Sequence, residues 1–375
     1  MFAVDLLWLR LGKVGGSESF IKNLISGFQE LDMEYKAFLI VSRDNCSSFE
    51  KYTKDKRFEI IRCQVDSNNV KERILFQNFK LSKLLIENGI YKCLEPIYSI
   101  PILGTKSIEY YTVIHDLQAL HFPEYFSNIK LQYLKFSWKH AIRKSKKVVT
   151  ISNYTKNDLI KRLGARADKI EMIYNPVVVH DVDETKAIEI IKKYGVEPNK
   201  YFFCVTSMMP HKNISVLLDI MKVRDDEYKL LICGVGGSLQ ESFMEQLKSE
   251  NLNEKVVVAP YVEDVVRDAF YQNCRLFLFP SVFEGFGMPP VEALLKEKRV
   301  ITTKCTSIPE VTFDEAVYVD NPYSIAEWKE KIDKELADQT IQIFDGKKIS
   351  RSSNPFTKKE AASKYLNMIL GDNRT

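Results

Sequence analysis

Short apolar runs alternate along the chain with longer stretches whose apolar positions recur every three or four residues. The first pattern is that of strands buried on both faces, and the second that of helices with one apolar stripe. In the first half the runs predict strands near Phe2–Leu7, Tyr35–Ile40, Phe58–Arg62, Tyr111–His115 and Lys147–Ile151, with helices between them such as Ser19–Glu30. In the second half, runs near Tyr201–Thr206, Lys229–Cys233, Lys255–Val258, Leu276–Pro280 and Val300–Thr303 alternate with helical patterns in the same way. Strictly alternating strand and helix implies parallel sheets covered on both faces, so each half reads as its own doubly wound α/β unit.

Length agrees, because 375 residues are too many for one ordinary core. The break is expected where a strand runs out in Ile173-Tyr174-Asn175-Pro176-Val177 and a polar, acidic stretch follows, with a hinge near residue 176. This gives domains of 1–176 and 177–355. After a polar gap at 346–354, residues 356–370 return to helical spacing with Thr357 placed as the cap. The segment 356–375 is expected to form a helix packed as a strut, returning to the first domain.

Composition narrows the class. No apolar stretch approaches the roughly 20 residues of a membrane span, and the chain opens on a strand pattern, Met1 to Trp8, where a leader would be basic and then apolar. The seven cysteines have no paired spacing, and several sit in strand-like runs such as Phe203-Cys204-Val205. Free buried thiols and a cytoplasmic location are the expectation. Charge is uneven: residues 1–178 carry 28 Lys and Arg against 19 Asp and Glu, whereas residues 179–375 carry 26 against 31. A basic first half can face an anionic surface.

The most informative segment is Phe279-Pro280-Ser281-Val282-Phe283-Glu284-Gly285-Phe286-Gly287-Met288-Pro289-Pro290-Val291-Glu292. A strand enters a loop with an acid and two glycines, and a helix then begins with prolines, whose missing N–H costs nothing in a first turn. The amides of Gly285, Phe286, Gly287 and Met288 would sit at the positive end of that helix, suited to a diphosphate or to sugar hydroxyls. Glu284 and Glu292 can accept hydrogen bonds from two ends of one polyol ligand. Read singly, each is equally a loop carboxylate or a favourable charge at a helix start.

These residues resemble the acid-x7-acid signature of glycosyltransferase family 4 and its GT-B relatives, and the resemblance extends along most of the chain. It implies a GT-B fold, two Rossmann-like domains facing across a cleft, with the donor held mainly by the second domain, the acceptor by the first, and closure about the hinge. The first acid, Glu284, would contact the donor sugar and Glu292 the ribose. A second match is Thr206-Ser207-Met208-Met209-Pro210-His211-Lys212-Asn213. Lys212 and Asn213 fit the family pattern, but Thr206-Ser207 replaces Gly-Arg and His211 replaces an Arg. Lys212 would then neutralise the donor diphosphate, shared with the Ser207 hydroxyl or a first-domain cation such as Lys13. The turns after Leu230–Cys233 and at Pro260-Tyr261-Val262 would border the base, read by the backbone of Val262. Thr306-Ser307-Ile308-Pro309-Glu310-Val311 resembles a further signature beside the donor pocket. In the first half, Gly15 and Gly16 would face the diphosphate; their spacing is not that of a dinucleotide fingerprint. His115 and Asp116, at the end of the strand Tyr111–Ile114, would meet the acceptor.

The resemblance therefore implies a retaining glycosyltransferase with Glu284, Lys212 and His115 as catalytic residues, no cofactor and no metal. Its substrates would be a UDP-, GDP- or dTDP-sugar and a glycan or lipid-linked acceptor in surface polysaccharide synthesis. A GT-B sugar-nucleotide epimerase or hydrolase, or a non-catalytic nucleotide-sugar-binding scaffold, remains the alternative. Asp181-Val182-Asp183 mimics a metal-holding Asp-x-Asp but falls in linker sequence without a cage. Residues 130–147 hold seven Lys and Arg and no acid, with apolar positions 131, 134, 138, 141 and 142 at helical spacing. They form either a plain surface helix or a peripheral dock on the inner face of the cytoplasmic membrane. No nucleic-acid module is present.

Overall fold

The computed structural model describes residues 1–338, 349 and 354–371. They fall into two compact units, one built from Met1–Pro176 with the segment from Phe356 onward, the other from Val177–Pro355.

The first unit holds seven strands: β1 (Phe2–Asp5), β2 (Ala37–Val41), β3 (Phe58–Arg62), β4 (Lys92–Glu95), β5 (Glu109–Ile114), β6 (Lys147–Thr150) and β7 (Ile170–Met172). They form one parallel sheet in the order β3-β2-β1-β4-β5-β6-β7. One of these strands lay outside the sequence reading and another differs in its bounds. β4 is four residues, Lys-Cys-Leu-Glu, too short and too polar at its ends to show a period, and the strand expected to run to Asn175-Pro176 stops at Met172. Register sets Ala3 beside Cys93 and Val4 beside Leu94, so Asp5 and Glu95 end neighbouring strands.

The helix Lys358–Leu370 begins at Thr357, whose side chain accepts from the Glu360 amide at 3.2 Å. It packs against the helix Gly16–Gln29. They meet tightly at Gly27, where a Cβ would lie 2.3 Å from the Lys358 carbonyl oxygen, so only glycine fits. Tyr365, Leu366 and Ile369 are buried, and the Ile369 carbonyl accepts from Lys92 Nζ at 2.7 Å. Of the polar gap expected at 346–354, only Ile349 and Asn354 lie within the described residues.

The second unit holds β8 (Tyr201–Val205), β9 (Lys229–Cys233), β10 (Val256–Ala259), β11 (Leu276–Phe279), β12 (Val300–Thr303) and β13 (Val317–Val319). This sheet is also parallel, in the order β10-β9-β8-β11-β12-β13. The chain reverses its winding between β8 and β11, and at such a switch point the loops after the two strands diverge and leave a crevice. The three-residue β13 is too short to be read from periodicity. Among the described residues, no helix is long and apolar enough to cross a membrane.

Candidate active site

In the second unit the loops after β8 and β11 meet. β11 is wholly apolar and buried, and it delivers the chain to Pro280 at the carboxyl edge of the sheet. Ser281 Oγ donates to the His211 and Phe283 carbonyls at 3.3 and 3.1 Å, and the Val282 amide donates to the His211 carbonyl at 2.8 Å. The β11 loop is thereby tied to the turn that carries Lys212. From the other side, Thr306 Oγ1 accepts from the Glu284 amide at 2.9 Å, and Ser307 Oγ donates to the Glu284 and Phe286 carbonyls at 3.0 and 2.9 Å. Gly287 precedes the helix Met288–Leu295 with φ 93°, a left-handed conformation that glycine alone adopts without strain. The loop's shape thus rests on three hydroxyls, one of its own and two from the segment after β12.

That frame brings Lys212 and Glu284 together, with Lys212 Nζ donating to Glu284 Oε1 at 2.6 Å. Both side chains are largely but not fully covered, and the ammonium also lies 5.9 Å from the centre of the Phe279 ring. Beside them His211 is buried, and desolvation and the Lys212 charge push its pKa down to about 4. The residue standing where the family has an arginine is therefore neutral near pH 7. It adds no cation, and its carbonyl serves as the anchor of the β11 loop.

Glu292, on the second turn of the helix Met288–Leu295, is buried. Tyr271 Oη donates to its Oε2 at 2.9 Å, and Arg267 Nε lies 3.6 Å from the same oxygen. Burial pushes the Glu292 carboxyl up, while Arg267 and Tyr271 draw it back. Oε1 accepts no hydrogen bond among the described residues. Arg267 and Tyr271, one turn apart on the helix Asp264–Asn273, were not singled out from sequence, because an Arg and a Tyr at helical spacing carry no signal of a site. Ser207 follows β8, and Val262 follows β10 and is partly exposed.

In the first unit, β5 ends at Ile114 and presents His115 and Asp116. His115 Nε2 lies 2.8 Å from the Pro96 carbonyl, which can only accept, so the proton sits on Nε2 and Nδ1 is the open acceptor. Burial lowers the pKa of this imidazole and keeps it neutral. The Phe20 ring meets it edge-on at 5.2 Å. Asp116 Oδ1 accepts from the Gln118 amide at 2.9 Å. Gly15 caps the helix Gly16–Gln29 with φ 53°, and Glu18 of that helix accepts from the Gly12 amide at 2.7 Å, fixing the turn before it. Lys13, named from sequence as a first-domain cation to share the diphosphate, donates to Asn68 Oδ1 at 3.1 Å.

The Asp-x-Asp mimic has a structural explanation. Asp183 caps the helix Glu184–Lys192, accepting from the Lys186 amide at 3.1 Å, and Asp181 lies 3.6 Å from Lys296 Nζ. No group of three or more His, Cys, Asp or Glu side chains among the described residues is arranged to hold a metal ion. All seven cysteines are free thiols, six of them buried.

Residues 14–181 match the family model described as Glycosyltransferase Family 4, and residues 186–349 match that described as Glycosyl transferases group 1. The O-antigen chain mannosyltransferase RfbU of Salmonella typhimurium is 29% identical over 63% of this chain. The N-acetylgalactosamine-N,N'-diacetylbacillosaminyl-diphospho-undecaprenol 4-alpha-N-acetylgalactosaminyltransferase of Campylobacter jejuni is 25% identical over 57% of it. These matches span 62% and 57% of the two relatives' own lengths. The crystal structure of Anabaena HepE in complex with UDP and glucose aligns with 98% of this chain and 95% of its own, at a TM-score of 0.68 and 16% identity, a likeness of fold. The two family models follow one another across both units, and together with two parallel sheets of this order they make the protein a member of the GT-B glycosyltransferases.

Proposed function

We propose that the chain moves a hexose, mannose by its likeness to RfbU, from a nucleotide-sugar donor to a glycan or lipid-linked acceptor in surface polysaccharide assembly, with retention and without a metal. The Lys212–Glu284 pair carries this reading, since it joins a cation and a carboxylate at a helix start on the carboxyl edge of a doubly wound sheet. Lys212 and the amides of Gly285 to Met288 neutralise the departing diphosphate, with Ser207 as a further donor. Glu284 accepts from a sugar hydroxyl, and binding of the donor then exchanges the Lys212 contact for ligand contacts on both residues. Glu292 Oε1 takes a ribose hydroxyl, and the Val262 backbone borders the base. In the first unit, His115 Nδ1 accepts from an acceptor hydroxyl, Asp116 lies beside it, and Gly15 and Gly16 face the donor diphosphate.

Transfer assays with UDP-, GDP- and dTDP-sugars, run with and without a glycoside acceptor, test the proposal. Sugar transfer with an unchanged anomeric configuration by NMR, undiminished in excess EDTA, is the expected result. Turnover of the donor that ignores the acceptor would favour an epimerase or hydrolase, and binding without turnover a scaffold.

The basic helix Asn128–Lys144 turns Leu131, Leu134, Trp138 and Ala141 inward and leaves Lys139, Arg143 and Lys144 exposed. Of the cations beyond it, Lys146 pairs with Glu109 at 2.9 Å and is partly neutralised. We infer that the outward cations dock the protein peripherally on the anionic inner face of the cytoplasmic membrane. Binding to anionic vesicles that fades as salt rises, with none to neutral vesicles, is the expected behaviour.

A further inference from the structure

Neither Arg10 nor Arg73, both of the first unit, forms an ion pair with a carboxylate among the described residues, although the Asp5 carboxyl lies near enough to favour the Arg73 charge. Arg10 follows β1 on the way to Gly15, and Arg73 lies in the helix Val70–Phe76. Arg73 Nη1 donates to the carbonyls of Trp8 and Ser67 at 3.1 and 3.4 Å, which pins its guanidinium beside the segment that carries Arg10. The Nε of Arg10 is buried without a hydrogen-bond partner among the described residues. The two charges repel: burial, and then Arg10, lowers the pKa of Arg73. Like charges held together and partly desolvated cost stability unless an anion completes them.

An apolar face adjoins the pair. Tyr98 and Tyr133 both lie close enough to Arg73 to interact with its charge. Tyr133 belongs to an exposed stripe, Ile129, Tyr133 and Phe136, on the helix Asn128–Lys144. The Phe136 ring stacks on His140 at 5.8 Å, and His140 Nε2 lies 3.2 Å from the Pro101 carbonyl. The next two residues, Ile102 and Leu103, are exposed, and the Ile102 amide donates to Asn78 Oδ1 at 2.7 Å. Asn78 precedes Phe79, which is 65% exposed on a widened helical turn, Gln77–Leu81, with Leu75 exposed one turn earlier. These contacts join three elements into one apolar surface, and exposed Lys80, Lys83, Lys106 and Lys139 lie on the same elements. A monomer seldom leaves such a surface to water without a use for it.

We propose that Arg10 and Arg73 form a subsite for the diphosphate of a lipid-linked acceptor, and that the apolar face beside them takes the first part of its hydrocarbon chain. Guanidinium forks suit the several oxygens of a diphosphate, and here two of them lie beside exposed aliphatic and aromatic side chains. A nucleotide's diphosphate has the same head but no hydrocarbon, so the adjoining surface selects the lipid. The inference rests on the transferase reading above for the identity of its ligand.

The test is equilibrium binding of decyl diphosphate to the full chain, with inorganic pyrophosphate and decyl maltoside as probes of head and tail alone. Decyl diphosphate should bind at least about 10-fold more tightly than either. Arg10→Gln removes a side chain with no hydrogen bond to lose, so its fold should persist, and it should weaken decyl diphosphate and pyrophosphate about 10- to 100-fold while leaving decyl maltoside unchanged. The pair Phe79→Ser with Leu103→Ser should weaken decyl diphosphate and leave pyrophosphate unchanged. Saturating UDP or GDP should not displace decyl diphosphate. Competitive displacement by either nucleotide would assign the arginines to the donor and overturn the proposal, as would equal binding of decyl diphosphate to Arg10→Gln and the unaltered chain. Transfer by the unaltered chain to a soluble glycoside is measured separately. Success there without decyl diphosphate binding would overturn this subsite alone.

Discussion

The two units place charge at the carboxyl edges of their sheets in opposite ways. In the second unit each candidate carboxylate has a cation: Glu284 has Lys212 and Glu292 has Arg267. In the first unit like stands with like, Asp5 beside Glu95 on adjacent strands and Arg10 beside Arg73, with only a longer-range attraction between Asp5 and Arg73 to offset them. A paired site holds its geometry before any ligand arrives, and the ligand substitutes for contacts already made. An unpaired site is held by the surrounding fold at a cost, which a ligand of opposite charge relieves. The difference points to a preorganised subsite in the second unit and a subsite completed by its anion in the first.

The largest effect should come from breaking the pair that carries the proposed chemistry. Glu284→Ala and Lys212→Ala should each lower the transfer rate about 10²–10³-fold in purified protein that still melts cooperatively. Because the two side chains act on each other, the double variant should lose much less than the product of the single losses. Near-normal transfer in either single variant would contradict the site.

Next in size is the buried pair. Glu292→Ala leaves Arg267 only the exposed Asp264 carboxylate at 2.9 Å and Tyr271 Oη only the Pro289 carbonyl at 3.3 Å, and it should cost about 3 kcal/mol in urea unfolding. Tyr271→Phe removes one hydrogen bond and should cost about 1 kcal/mol. Equal losses in the two variants would mean that Arg267 does not depend on Glu292.

The acid pair makes a prediction of the opposite kind, in pH. Burial raises Asp5 to about 6, and Glu95, wholly buried and next to Asp5, is also raised. A raised carboxyl favours the fold while protonated, so its contribution is full below the usual carboxylate range and is lost as pH rises through about 6. His211, lowered to about 4, contributes above its usual value near 6.5 and loses that contribution as pH falls toward 4. The two windows overlap between about pH 4 and 6 and oppose each other, so each masks the other in the unaltered chain. Relative to that chain, Asp5→Asn should make stability climb with pH across this window and His211→Gln should make it fall, by up to about 2 kcal/mol each. An unchanged pH profile in either variant would place the titration elsewhere.

The smallest effect concerns the final helix. Thr357→Ala loses the cap bond to Glu360 and should cost about 1 kcal/mol by thermal melting, whereas Gly27→Ala, which drives a methyl group into the Lys358 carbonyl, should cost more. The reverse order would mean that the two helices part easily.

The sequence alone determined the class of fold, because apolar runs such as Phe2–Leu7 and Leu276–Pro280 are long enough to show a strand, and the intervening stripes can only be helices. It also showed the glycine and proline punctuation around Glu284 and Glu292 and the cap at Thr357, since caps and turns are local chemistry. It missed β4 and β13, whose three or four residues carry no period and exist because neighbouring strands supply their hydrogen bonds. Only the tertiary structure decided which side chains meet. Lys212 and Glu284 are 72 residues apart in the chain, and Arg10 and Arg73 are 63 apart. Thr306 and Ser307 reach the Glu284 loop from after β12. Such pairings follow from strand order, and strand order is set by how all the helices and strands bury their apolar faces at once, a property that no single segment carries.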